Sequence, residues 1–300
     1  MKSFKNMTLN AVCKQGEKIL KDAGIADADF DSLYLLEHFF GADRTALILH
    51  GDRTADESLC ERFFSAIEER TTGKPLQYIV GKWNFMGYDF YVGEGVLIPR
   101  DDTEILVETA IDYLKKTNIK NPKVIDLCSG SGAIAVSVAK MFPDSDVIAL
   151  EYSDLAIEYL KKNIKLNCAD NVRVFKGDVT KCYEEFQDEQ FDIVISNPPY
   201  IQSEEIDTLQ PELQFEPRMA LDGGKDGLYF YRIITAKWSN KVRQGGMIAF
   251  EVGEEQFEPV SEFVKNRGFE GVTYKLDLQG FKRTVNGIKS ILTSKKIEQI

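Results

Sequence analysis

The chain has 300 residues, 43% of them hydrophobic and 28% charged, which is enough apolar material for a core of its own. Its formal net charge of −11 argues against broad binding of a phosphate backbone, which needs a field of lysine and arginine. Five scattered cysteines beside only His38 and His50, no apolar signal core in MKSFKNMTLN and no run of ~18 apolar residues predict a cytoplasmic protein with no metal site and no membrane contact.

The first 82 residues read as helices. In TLNAVCKQGEKILKDAG, Thr8 can cap, Leu9, Val12, Ile19, Leu20 and Ala23 recur near the helical period, and Gly24 can end the helix. DFDSLYLLEHFFG and DESLCERFFSAIEERTTG repeat the pattern, each closing on glycine. A small helical domain is expected over 1–82. In KWNFMGYDFYVGEGVLIPR, aromatics alternate with small residues, and Gly87 and Gly93 punctuate them, so 83–98 is expected to be a hairpin linker. A third segment, 99–300, opens with a helix from about Asp101 to Lys116, whose first turn carries Asp101, Asp102 and Glu104.

Beyond it KVIDL, DVIALE, VRVFKGD, FDIVISN and GMIAFEV read as strands. Helices are expected in GAIAVSVAKMF, in DLAIEYLKKNIKLN, around Leu228 to Lys241 and from Glu255 to Asn266. That alternation predicts a parallel sheet covered on both faces. GVTYKLDLQGFKRTVNGIKS predicts two more strands joined around Gln279 and Gly280, and without a crossover helix they must run antiparallel. The expected fold class is α/β, a Rossmann-like and mostly parallel sheet with an antiparallel last strand.

VIDLCSGSGAIAVSVA places Gly130 and Gly132 between a strand and a helix, at the sheet edge where ligands bind in open α/β folds. Glycine there lets a ligand approach the backbone closely. Glu151, which ends the next strand, is placed to accept both hydroxyls of a ribose. A dinucleotide fingerprint wants a third glycine, and that slot holds Ile134 or Ala135. Asp126 before the turn suits an ammonium group better than phosphates. A methyl donor therefore fits better than NAD. Asp178, in FKGDV, ends the following strand and can accept from an adenine amino group, with Val179 nearby.

The run ISNPPYI halts a buried strand with two prolines, which cannot donate to a sheet ladder. A stiff turn explains the prolines alone. Beside a cofactor crevice, Asn197, Pro198, Pro199 and Tyr200 suit methylation of a planar NH2 group, whose delocalised lone pair is a poor nucleophile. Acceptors for both N–H bonds, the Asn197 side-chain carbonyl and the Pro198 main-chain carbonyl, would stabilise the charge growing on nitrogen. Tyr200 can wall the site, and no strong base is needed.

DLCSGSGAIA, GD and NPPYI in this order resemble a class I S-adenosylmethionine-dependent methyltransferase. With PLQYIVGKWNFMGYDFYVGEGVLIPRDDTEILVE, FEPRMALDGGKDGL and DLQGFKRTVNG, nearly the whole chain is similar to the HemK/PrmC family, the protein-(glutamine-N5) methyltransferases of peptide chain release factors. The resemblance implies a helical N-terminal domain that helps hold the release factor, a hairpin linker and a methyltransferase domain acting on the glutamine of the Gly-Gly-Gln loop, with S-adenosylhomocysteine as product. It implies that Cys128, Ser129, Gly130, Ser131 and Gly132 line the donor's amino-acid end and that Glu151 takes the ribose. Asp178 and Val179 would border the adenine, and Asn197 to Tyr200 would hold the glutamine amide. Arg100 and Thr103, in IPRDDTE, fall in the family's upstream motif near the crevice. Cys128 and Ser129 replace the glycine and threonine more usual in the loop, and Glu151 stands where aspartate is common. The sequence is expected to act as a monomer.

An adenine N6-methyltransferase of DNA or RNA would use the same tetrapeptide chemistry, but is expected to carry a basic target-recognition domain. The run Glu204, Glu205, Asp207, Glu212 and Glu216 after Tyr200 is ill suited to a phosphate backbone. It reads as a solvated lid loop.

Overall fold

In the computed structural model, which describes residues 4–291, the chain divides into two compact units. Residues 1–3, which open the first expected segment, and 292–300, which close the last, lie outside the described residues. One unit runs up to Lys82 and takes in Gln210–Phe215; the other holds Trp83–Leu209 and the described chain from Glu216 onward.

The first unit contains α1 (Leu9–Asp22), α2 (Ala28–Phe40), α3 (Arg44–His50), α4 (Glu57–Thr71) and α5 (Leu76–Val80). Thr8 caps α1 by accepting the Ala11 amide at 3.2 Å, and left-handed Gly41 ends α2. Among these helices α3 and α5 carry no apolar repeat long enough to be read from sequence. Val12, Leu20, Leu35, Leu36, Phe63 and Ile67 form the buried seam. Arg70 of α4 is 6% exposed, and its Nε and Nη2 donate to Asp31 of α2 at 2.6 Å and to Glu212 at 2.8 Å. A buried guanidinium needs such partners, because an uncompensated charge there is strongly destabilising.

The second unit begins at Trp83, within a hairpin of β1 (Lys82–Phe85) and β2 (Tyr88–Tyr91) turned by Met86 and Gly87 at φ 52° and 77°. Two positive φ values match the right-handed strand twist, and glycine holds one of them without strain. The chain continues through α6 (Asp101–Thr117), β3 (Lys123–Leu127), α7 (Ala133–Met141), β4 (Asp146–Glu151), α8 (Asp154–Leu166), β5 (Val172–Lys176) and β6 (Phe191–Ser196). It closes with α9 (Arg218–Leu221), α10 (Tyr229–Lys237), β7 (Val242–Glu251), α11 (Phe257–Lys265), β8 (Phe269–Thr273) and β9 (Thr284–Lys289).

The seven strands from β3 onward form one sheet in the order β5-β4-β3-β6-β7-β9-β8. Neighbours from β5 to β7 are parallel, while β9 runs antiparallel to both β7 and β8, as the tail pattern predicts. Side chains alternate across the sheet with period two. Val124, Ile193, Ile195 and Ala249 meet α6 and α7 on one face, and Ile125, Val194, Ile248 and Phe250 meet α10 and α11 on the other.

Asn163 of α8 is fully buried and couples the hairpin to the glycine turn. It accepts the Tyr91 amide at 2.6 Å and donates to the Tyr91 carbonyl at 3.1 Å and the Ser131 carbonyl at 2.9 Å. Asn163→Ala leaves those backbone groups without their partner. It is expected to destabilise the protein by roughly 2–3 kcal/mol, since each stranded buried group costs about 1–3 kcal/mol. A lower urea midpoint with an unchanged m value is the expected result.

Candidate functional site

Parallel pairing brings the ends of four strands to one edge. Leu127 of β3 lies in register with Leu150 of β4 and with Ser196 of β6, and Glu151 lies in register with Lys176 of β5. The Ser196 hydroxyl donates to the Leu127 carbonyl at 2.6 Å, tying the glycine turn to the tetrapeptide. A cavity of about 500 Å³ opens here, within the ~300–1,000 Å³ typical of small-molecule sites.

Of the residues singled out from sequence, Arg100, Thr103, Cys128, Ser129, Gly130, Ser131, Glu151, Asp178, Val179, Asn197 and Pro199 line the cavity. Asp126, Gly132, Pro198 and Tyr200 are not among its lining residues. The two glycines divide their labour. At Gly130, φ is 55° and a Cβ would meet nothing within 4 Å, which leaves room for a close ligand. At Gly132, φ is 83° and a Cβ would fall 2.3 Å from Leu160 Cδ1, so this glycine serves helix packing.

Asp126 lies on the α7 face of β3 and is 0% exposed. Its Oδ2 accepts the Ser129 hydroxyl at 2.5 Å, and Oδ1 has no hydrogen-bond partner. Burial pushes its carboxyl up to about 7, against the lowering pull of the Ser129 hydroxyl. The ammonium contact expected from sequence would have to run through Ser129, because strand alternation turns Asp126 beneath the turn.

Glu151 uses its extra methylene to fold back under the loop. Oε2 accepts the Gly130 amide at 2.7 Å, and Oε1 accepts the Tyr152 and Ser153 amides at 2.8 Å each. With about four lone-pair sites per carboxylate, three are taken. Glu151 therefore organises the turn first and keeps room for one more donor on Oε2. Asp178 caps its own turn through Thr180 and pairs with Lys181 at 2.9 Å. Burial opposes its ionisation, yet these partners hold the carboxyl below its usual range.

Cys128 sits at φ 62°, a left-handed conformation that costs an L side chain about 1–2 kcal/mol. Burial first, then the Glu151 and Asp126 charges, push its thiol well above the ordinary value. A thiol held protonated is no nucleophile.

After Ser196 the chain turns through Asn197-Pro198-Pro199-Tyr200, and a glycine loop backs it. A Cβ on Gly223 would fall 2.6 Å from Tyr200 Cα, and one on Gly227, at φ 68°, would fall 2.3 Å from the Tyr200 carbonyl oxygen. That oxygen accepts Gln256 Nε2 at 2.9 Å. The Asn197 Nδ2 donates to the Thr103 hydroxyl at 3.2 Å. Three acids of the expected solvated loop are engaged: Asp207 pairs with Arg218 at the surface, Glu212 pairs with Arg70, and Glu216, 5% exposed, accepts from Arg100 and from the Ile98 amide. Sequence reasoning missed Glu216, Gly223, Gly227 and Glu251. An acid closing a parallel strand, as Glu151 does, was the available signal for Glu251.

Residues 11–81 match the PrmC N-terminal domain family and residues 101–220 the methyltransferase small domain family. The chain is 41% identical over 261 residues to the release factor glutamine methyltransferase of Clostridium acetobutylicum, covering 86% of this chain and 90% of the relative. It is 36% identical over 286 residues to that of Clostridium botulinum, covering 94% of this chain and 100% of the relative. Among solved structures, the hMettl16 catalytic domain in complex with the MAT2A 3′UTR hairpin 1 is similar at a TM-score of 0.55 and 16% identity, covering 87% of this chain and 91% of that one. That likeness is one of fold alone.

The buried Asp126 carboxyl yields a pH prediction. It binds its proton more tightly in the folded chain, at about 7, than in the unfolded chain, near 3.9. Its contribution is therefore full below pH ~4 and is lost as pH rises towards 7. Asp126→Asn lacks that loss. Its Tm relative to the parent protein should rise between pH 5 and pH 8 by several degrees, at roughly 2–4 °C per kcal/mol. A Tm difference independent of pH would contradict the assignment.

Proposed function

Since the chain belongs to the release factor glutamine methyltransferase family, we propose that it transfers a methyl group from S-adenosylmethionine to the side-chain amide nitrogen, N5, of the glutamine in the Gly-Gly-Gln loop of peptide chain release factors. The carrying observation is the β3–β6 register, which sets the glycine turn and Asn197 side by side on one cavity. In this reading residues 1–82 hold the factor, 83–98 link, and 99–300 carry the chemistry. It works as a monomer in the cytoplasm, where its protein substrate acts.

The donor fits the residues present. Gly130 leaves open space for a close-lying ligand, the cavity is large enough, and Glu151 Oε2 has one acceptor direction left. Cys128 to Ser131 would hold the amino-acid end, Glu151 would take a ribose hydroxyl, and Asp178 and Val179 would border the adenine. When bound, the donor supplies an electrophilic sulfonium methyl. Asn197 Oδ1 accepts one N–H of the glutamine amide and the Pro198 carbonyl accepts the other, drawing density onto nitrogen as positive charge develops there. Pro198 and Pro199 restrict the backbone so that these acceptors are aimed before the amide arrives. The surplus proton leaves to solvent once nitrogen is cationic.

Labelled S-adenosylmethionine offered with unmethylated release factor, duplex DNA or total RNA should label the factor alone. Label on nucleic acid and none on the factor would sink the reading. Asn197→Ala should lose at least roughly 100-fold in turnover, the scale of one lost electrostatic partner, while donor affinity by calorimetry stays unchanged. Gly223→Ala must displace the Tyr200 backbone, so turnover should fall about as far with donor binding intact.

A further inference from the structure

Asn197 can act as an acceptor only if its amide is the right way round. Flipped, it would present two N–H donors to a substrate group that is itself a donor. Its Nδ2 meets the Thr103 hydroxyl at 3.2 Å, but a hydroxyl both donates and accepts and does not decide the matter by itself. The deciding contact lies one bond further on. Thr103 Oγ1 donates to Glu251 Oε2 at 2.6 Å, and Tyr200 Oη lies 3.4 Å from Glu251 Oε1. Glu251 ends β7, one residue past the Ser196–Phe250 pair, and so stands beside Asn197 on the neighbouring strand. It is 1% exposed, and Thr103 is 4% exposed.

We propose that Glu251 is a positioning residue: by accepting the Thr103 hydroxyl, its carboxylate sets the direction of the chain Asn197–Thr103–Glu251 and leaves Asn197 Oδ1 facing the substrate NH2 group. This rests on the reading of Asn197 as acceptor for that group. An ionised carboxylate has no proton to give, so the Thr103 proton must point to it and the Thr103 lone pair to Asn197 Nδ2. The Thr103–Glu251 link is buried, and with the single Thr103 proton committed there the Asn197 end of the chain admits one orientation. The same carboxylate takes the Tyr200 hydroxyl, so both ends of the tetrapeptide refer to one group.

Several groups bear on Glu251. Thr103 and Asp102 face it from α6, while Arg100, just before that helix, acts on Tyr200. Tyr200 comes from the tetrapeptide, and Arg283 precedes β9. Tyr231 of α10 donates to its main-chain carbonyl at 2.7 Å. Burial is the largest influence and pushes the carboxyl up to about 7, with Thr103 and Arg283 opposing and Asp102 adding. Protonated Glu251 can donate back to Thr103, which frees the Asn197 amide to flip. Turnover should therefore fall as pH drops below about 7, whereas the glutamine amide itself does not titrate there.

The test is steady-state methylation of unmethylated release factor between pH 5.5 and 8.5. Glu251→Gln keeps the shape but can donate as well as accept. Its kcat should fall roughly 10- to 100-fold at pH 8, less than for direct loss of an acceptor. Its acid limb should vanish, and donor affinity by calorimetry should hold within twofold. Thr103→Val should lose a similar factor, Thr103→Ser should restore most of it, and the double variant T103V/E251Q should be no worse than either single one. An unchanged kcat with the acid limb intact in Glu251→Gln overturns the proposal. So does loss of donor binding in step with turnover, which marks a structural role. If Glu251→Gln does not fold, the Thr103 pair decides alone: equal rates for Val and Ser overturn it. Asn197→Ala with full turnover overturns the acceptor reading and this proposal together, whereas Asn197→Ala inactive with Glu251→Gln fully active overturns only this one.

Discussion

The site depends on the parallel pairing of β3 with β6, in register at Leu127 and Ser196. A parallel sheet delivers every strand's C-terminal end to the same edge, so whatever residues close the strands become neighbours. One residue of slip would turn alternate side chains to the opposite face. The Ser196 hydroxyl on the Leu127 carbonyl and the apolar layers on both faces hold that register. From it follow the glycine turn beside Asn197, Glu151 beside that turn, and Glu251 on the far side.

Buried carboxylates are the second theme. Asp126, Glu151, Glu216 and Glu251 all lie under the site with little exposure, where an ionised group is costly unless hydrogen bonds offset the lost water. Glu151 and Glu216 meet that need with backbone amides, and Glu216 adds a guanidinium. Asp126 and Glu251 rest on side-chain hydroxyls, and both carboxyls are pushed up to about 7; burial raises the Glu216 carboxyl as well. Each sits under a loop whose geometry matters: Asp126 beneath Ser129, Glu251 behind Thr103 and Asn197. Acceptors without protons of their own give direction to the hydroxyls and amides above them. Prolines supply the rest of the stiffness, and Gly223 and Gly227 allow a second loop to lie flat against Tyr200.

Much of this was legible in the residues. Strand and helix periods in KVIDL, DVIALE and DLAIEYLKKNIKLN describe elements that occur at β3, β4 and α8, and the tail pattern led to the antiparallel β9. Gly130, Glu151 and Asn197 were readable because strand ends and turns carry recognisable residue types. Other residues were not, and the reasons are physical. Asp126 points to the helix face, and only the three-dimensional alternation of β3 places it below the cavity rather than in it. Glu212 and Glu216 look like solvated loop acids, but each meets a guanidinium from a distant stretch of chain. Glu251 closes its strand in GMIAFEV as Glu151 does, but its place behind Thr103 and Asn197 appears only when β7 is laid beside β6.

By itself the sequence determined which elements form, which turns need glycine, and which side chains have chemistry to offer, since those depend on local sterics and on patterns within one segment. The tertiary structure alone decided which acids are buried, which oxygens are already taken, and which way the Asn197 amide faces. The direction of the Asn197 amide depends on groups far apart in the chain, since Asn197, Thr103 and Glu251 are separated by 94 and 148 positions. No local pattern encodes such separations. They follow from the order in which strands pair.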